Sequence, residues 1–189
     1  MKNFQLIASS VDIMPLLLAI KRQPEMWKED TYLRDYPQGP FNQIESIMLR
    51  FPVKSVFETE EELKNHLSKY DQHENIDYPN YKLLPEARQI VMALMARVGG
   101  ERLGRVMINK IAPGGVIYPH SDTLEHAEYY SRFHVVLQSQ PGVVFRAGSE
   151  SVFMETGSSW WFDNKQEHEV LNNSADDRIH MIIDIRTSR

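Results

Sequence analysis

Four side chains in the C-terminal half have the types and spacings for one piece of chemistry. In Pro119-His120-Ser121-Asp122 an imidazole and a carboxylate stand two residues apart, so an extended chain turns both to one side, where they can grip one ion. His168, in Gln166-Glu167-His168-Glu169-Val170, follows Asp122 by 46 residues, far enough for another strand to return beside the first. Two imidazoles and one carboxylate on one face of an ion leave its other positions open, the ligand set of non-haem Fe(II) oxygenases. Arg178 comes ten residues after His168 and starts the next β-like segment. Its planar fork of donors takes a carboxylate through two parallel hydrogen bonds. It can therefore hold the far end of a dicarboxylate, 2-oxoglutarate, whose other end chelates the ion.

Those residues need a frame, and the chain after Gly100 has the texture of one. Short β-like segments near 102–111, 115–119, 130–138, 142–146, 150–154, 158–162, 168–171 and 178–186 are separated by Gly, Pro, Asn and Asp, which predicts a sandwich or barrel. Alternation sorts the faces of two of them. Phe133, Val135 and Leu137 oppose Arg132, His134 and Val136, while Ile179, Met181, Ile183 and Ile185 oppose Arg178, His180, Ile182 and Asp184. Both polar faces pair an Arg with a His two residues later, which suits the interior of a barrel that binds an anion. Before Gly100 helical patterning dominates. Asp12 is placed to cap a helix carrying Ile13, Leu16, Leu17 and Ile20, and Thr59 with Glu62 forms a capping box for a helix to about residue 70. Pro85 opens a third helix with Ile90, Leu94 and Val98 in one stripe, stopped by Gly99-Gly100. Residues 44–51 alternate like a strand.

Composition narrows the classes. At 189 residues one domain is expected, and 21 basic against 26 acidic residues give a net charge of −5, no footprint for nucleic acid or anionic membrane. With no cysteine, thiolate metal sites and cysteine nucleophiles are excluded, so a metal must use His and carboxylates. The longest apolar run, Ile13 to Ile20, contains Pro15 and is too short to span a bilayer, and no export signal is evident. A cytoplasmic protein without membrane or nucleic-acid partners is expected.

From Ile108 to Ile185 the chain resembles the aspartyl/asparaginyl β-hydroxylase family of Fe(II)- and 2-oxoglutarate-dependent oxygenases. The blocks that carry the resemblance are Pro113-Gly114-Gly115 with Pro119-His120, Arg132-Phe133-His134, Gly157 with Trp161-Phe162-Asp163-Asn164, Glu167-His168-Glu169-Val170, and Arg178 leading to Ile183-Asp184-Ile185. The resemblance implies a mainly β protein with N-terminal helices and a double-stranded β-helix (jelly-roll, cupin-like) core. On that reading residues 1–100 are a mostly helical part packed on the core and residues 101–189 the catalytic core, together one integrated domain. It further implies that His120 and His168 bind iron, that Arg178 binds the 2-oxoglutarate side chain, that Arg132 and His134 line the pocket near the cofactor, and that Asn109 is a small polar cofactor contact. Members named for aspartyl hydroxylation can lack the carboxylate two residues after the first His. Asp122 here implies a full triad, as in related free-amino-acid hydroxylases, and the membrane anchor and helical repeats of some animal relatives are not seen.

The activity so implied is a dioxygenase that uses 2-oxoglutarate and dioxygen to hydroxylate an amino acid or an amino-acid side chain in a peptide or protein. A cupin-like protein that holds a metal and a small anion without turnover is the alternative; a zinc hydrolase on the same ligands leaves Arg178 without a task. Among other residues, Glu125-His126-Ala127-Glu128 is expected to be a solvated loop or lid, one of Trp160 and Trp161 to be core, Tyr118 and Arg50 to be possible substrate contacts, and His66 and His73 to be solvated on a charged helix.

Overall fold

In a computed structural model, residues 1–36, 39–54, 59–69, 71 and 73–188 are described, without the side chains of residues 63, 66 and 67. The reading of His66 and the end of its helix at residue 70 lie outside the described residues. In chain order the elements are β1 (Phe4–Ala8), α1 (Met14–Lys21), α2 (Met26–Glu29), α3 (Tyr32–Asp35), β2 (Ile44–Phe51), α4 (Glu60–Leu67), β3 (Ile76–Asp77), α5 (Asn80–Leu83) and α6 (Pro85–Val98). There follow β4 (Gly100–Ile111), β5 (Val116–His120), α7 (Leu124–Tyr129), β6 (Ser131–Gln138), β7 (Val143–Ala147), β8 (Glu150–Val152), β9 (Ser159–Phe162), β10 (His168–Asn172) and β11 (Arg178–Thr187).

The strands form two antiparallel sheets, one ordered β1-β9-β6-β11-β4-β2-β3 and the other β5-β10-β7-β8. From β4 onward the chain passes back and forth between them, so the fold is mainly β with a jelly-roll core. β1 and β2 also enter the larger sheet, the first beside β9 and the second beside β4, so the N-terminal part contributes strands as well as helices. β1 has a buried-exposed pattern too irregular to announce a strand, and it is an edge strand whose pairing comes from β9.

Alternation assigns the two faces of the larger sheet. Its outer face presents Ile47, Leu49, Val106, Ile108, Phe133, Val135, Leu137, Met181 and Ile183 to Leu16, Leu17 and Ile20 of α1 and Ala87, Ile90, Val91 and Leu94 of α6. The inner face meets the smaller sheet through Ile111, Val136, Phe145, Phe162 and Val170. Helix ends follow local rules in two cases. Gly99 ends α6 in the left-handed region at φ 63°, which a glycine adopts without strain, and Thr59 and Glu62 exchange the reciprocal bonds of a capping box. α1 departs from expectation: it begins beyond Ile13 with no side-chain cap, and Asp12 plays no capping part. Among the described residues no helix is long and apolar enough to cross a membrane.

Candidate metal and cofactor site

β5 and β10 pair antiparallel with His120 directly opposite His168, which sets the two rings 4.2 Å apart between centroids. Asp122 lies just past the end of β5, and one ligand atom from each of His120, Asp122 and His168 falls within 4.8 Å of the other two. Each imidazole is oriented by its backbone. Nδ1–H of His120 donates to the Tyr118 carbonyl at 2.8 Å and that of His168 to the Gln166 carbonyl at 2.9 Å, which leaves both Nε2 lone pairs for an ion. Burial pushes both imidazoles toward the neutral, ligating form, His168 down to about 4 with the charge of His120 adding to the effect. For Asp122 burial pushes the other way, but the Arg132 guanidinium and the Asn164 amide outweigh it and hold the carboxyl below its ordinary range. The donor set fits a divalent cation with positions to spare.

Arg178 opens β11 and is fully buried in a cavity lined by Asn109, His120, Asp122, Arg132, His134 and His168 together with Phe145, Phe162 and Ile182. The cavity comprises about 640 Å3, counting the part open to solvent. Nη2 of Arg178 reaches His180 Nδ1 at 2.9 Å, while its Nε and Nη1 have no hydrogen-bond partner among the described residues. Burial without a facing anion draws the guanidinium down to about 9. Guanidinium only donates, so His180 Nδ1 must accept, and His134 Nδ1, 3.2 Å away, must carry its own proton toward it. His134 then offers Nε2 to the cavity as an acceptor. His180 stands behind Arg178 and does not line the cavity.

The remaining expected residues divide. Asn109 is buried at the cavity wall and accepts a hydrogen bond from Ser46 Oγ at 2.9 Å. Arg132 faces the cavity with its guanidinium committed to Asp122 and Asp184. Arg50 pairs with Asp77, and the exposed Tyr118 hydroxyl accepts from Gln43, so neither faces the cavity. Trp160 and Trp161 are both half-buried, each against a different apolar cluster. His73 is in a turn rather than on a helix, stacked on Tyr129 at 3.8 Å. Residues 125–128 are not a solvated loop. They form most of α7, with His126 buried and its Nε2 2.8 Å from Asp184 Oδ2, a partner 58 positions away that local sequence could not disclose. Asp184 was legible only as one polar residue on the inner face of its strand. A mouth lined by Tyr32, Tyr36, Phe41, Thr123 and His126 leads from solvent to His120 and Asp122.

Residues 58–188 match the profile of a family described as aspartyl/asparaginyl beta-hydroxylase. The L-proline cis-4-hydroxylase of Rhizobium meliloti (strain 1021) is 30% identical over 81 residues, a stretch covering 43% of this chain and 29% of that protein. The match therefore spans less than a third of that relative. Two solved structures share the fold: a 2OG-Fe(II) oxygenase family oxidoreductase from Burkholderia pseudomallei, with a TM-score of 0.53 at 12% identity over 98% of this chain and 86% of that one, and a Pseudomonas putida prolyl-4-hydroxylase, with a TM-score of 0.52 at 13% identity over 99% and 94%. Because the matched profile covers well over half of the chain, the protein belongs to the aspartyl/asparaginyl β-hydroxylase family.

Proposed function

We propose that the protein is an Fe(II)- and 2-oxoglutarate-dependent dioxygenase that hydroxylates an amino acid or an amino-acid side chain in a peptide or protein. The observation that carries this reading is Arg178: a fully buried cation with two nitrogens unpartnered among the described residues, in the same cavity as a His-Asp-His donor set. A buried charge without a partner is costly, so a site that keeps one is made for an anion. In this reading His120, Asp122 and His168 hold the iron, Arg178 takes the distal carboxylate of 2-oxoglutarate, and Asn109 and His134 line the cofactor's cavity. Iron held by these residues would supply the activation of dioxygen, with 2-oxoglutarate oxidatively decarboxylated to succinate and carbon dioxide and the second oxygen atom entering the substrate C–H bond as hydroxyl. The chain's own residues supply the rest. Phe145, Phe162 and Ile182 exclude water around the cofactor, the two Nδ1–H donors hold the ligating imidazoles in one tautomer, and the aromatic mouth admits a substrate beside the ligands.

The test is a calorimetric titration with Mn(II) and then 2-oxoglutarate under nitrogen, followed by succinate release with Fe(II) in air. His120→Ala and His168→Ala are expected to abolish Mn(II) binding with the fold intact, and Asp122→Ala to weaken it less. Unaltered affinity in both histidine variants would rule out this ligand set.

A further inference from the structure

We infer that Asp184 is a positioning residue for the metal site, taking up the charge of Arg132 so that this guanidinium steadies Asp122 without cancelling its carboxylate. The inference rests on the reading of His120, Asp122 and His168 as metal ligands.

Arg132 on β6 and Asp184 on β11 are directly opposed across the larger sheet, and both are buried. Nε of Arg132 donates to Asp184 Oδ1 at 2.7 Å and Nη2 to Oδ2 at 2.9 Å, a two-point grip that uses one edge of the guanidinium. The other edge turns to the ion site, where Nη1 meets Asp122 Oδ2 at 2.6 Å. Asn164 Nδ2 donates to that same Oδ2 at 2.7 Å, so both contacts fall on one oxygen and the carboxylate is oriented with the other available to an ion. His126 on α7 also donates to Asp184 Oδ2, completing a chain from the buried His126, Asp184 and Arg132 to the partly buried Asp122.

The charges explain why the chain needs both carboxylates. Arg132 paired with Asp122 alone would neutralise the one anionic ligand and compete with a cation for it. With Asp184 gripped on two points, the arginine's charge is already matched, and Asp122 can spend its own on the metal while still being held in place. A purely structural ion pair would have no need to reach a third residue at the ligand set.

Asp184→Asn separates charge from shape. The amide keeps its oxygen on Arg132 Nε and gives up the Nη2 bond, while its NH2 faces His126, whose imidazole can switch tautomer to accept it. Mn(II) affinity, measured by calorimetry without 2-oxoglutarate, is expected to fall roughly tenfold or more, within the range of coupling between residues in one network. In an Asp122→Ala background the same change is expected to lower affinity by about threefold or less, the residue of direct attraction across space. If Asp184→Asn does not fold, His126→Ala serves in the same cycle, with an expected loss of about threefold in the native background and none without Asp122. Unchanged Mn(II) affinity, or equal losses in both backgrounds, overturns the inference. If His120→Ala abolishes Mn(II) binding while the Asp184 cycle is additive, only this inference fails; if His120→Ala binds Mn(II) like the native chain, the ligand assignment falls with it.

Discussion

At the scale of single residues, the site is a set of unsatisfied requirements. The Nε2 atoms of His120 and His168 are aimed at a common point by bonds on their opposite nitrogens, and Arg178 is held by His180 with the rest of its fork bare. On the proposed reading this separates two functions that share a cavity, because Arg178 is no part of the donor set. Arg178→Ala is therefore expected to lower 2-oxoglutarate affinity by at least about tenfold, since a charge-assisted pair contributes roughly 1.5–3 kcal/mol and about 1.4 kcal/mol is a factor of ten. Mn(II) affinity without 2-oxoglutarate should stay within about twofold of native on the same ground. Arg178→Lys should recover only part of the loss, since an ammonium cannot reproduce the planar two-point grip. Calorimetry with Mn(II) in place of iron reads both constants without turnover, and an unchanged 2-oxoglutarate constant in Arg178→Ala would remove the anion role.

At the scale of elements, strand parity made the cavity legible and register made it specific. That Arg132 and His134, or Arg178 and His180, share a face follows from alternation alone, and all four are buried on the inner side of the larger sheet. That His120 faces His168, or that Arg132 faces Asp184, depends on which strands neighbour which, and no local pattern encodes that. The same limit accounts for His126, whose short polar segment reads as a loop until β11 supplies its carboxylate partner. Close approach between elements is equally nonlocal. Gly104 of β4 lies where a Cβ would come within 2.9 Å of the Tyr130 ring and 3.1 Å of Asp184 Cβ, so a side chain there must push one of them aside. Gly104→Ala is expected to destabilise the fold by about 1–3 kcal/mol, as overpacking does, and to weaken Mn(II) binding as well by displacing Asp184. Thermal denaturation and the Mn(II) titration together check this, and loss of stability with native metal affinity would detach Gly104 from the site.

At the scale of the whole molecule, the two faces of the larger sheet have opposite tasks. The helices bury the outer face with aliphatic side chains, and that stability supports an inner face which keeps charged groups out of water. Among the described residues Arg132 is matched by two carboxylates and Arg178 by none, so without an anion the protein carries a buried charge that no described carboxylate compensates. Arg178→Met, which keeps an unbranched stem and removes the charge, is accordingly expected to stabilise the ligand-free protein by about 1 kcal/mol or more, a gain at the expense of the proposed anion site. The native chain with Mn(II) should recover that deficit on adding 2-oxoglutarate: at a hundred times Kd the ligand contributes about 2.7 kcal/mol, a rise in Tm of several degrees for a chain of this size. The methionine variant should show almost none of it. Dependence on pH gives an independent check. Burial draws the guanidinium down to about 9 in the folded state, well below its ordinary range, so the unfolded chain holds more protons above pH 9 and stability contributed by this group rises with pH in that window. The Tm advantage of Arg178→Met without ligand should therefore shrink between about pH 8 and pH 10.5, while 2-oxoglutarate affinity of the native chain falls over the same interval because binding requires the charged form. Equal Tm values for the two ligand-free proteins at pH 8 would mean that Arg178 is matched by a group within the fold, and that its cavity was not made for an anion.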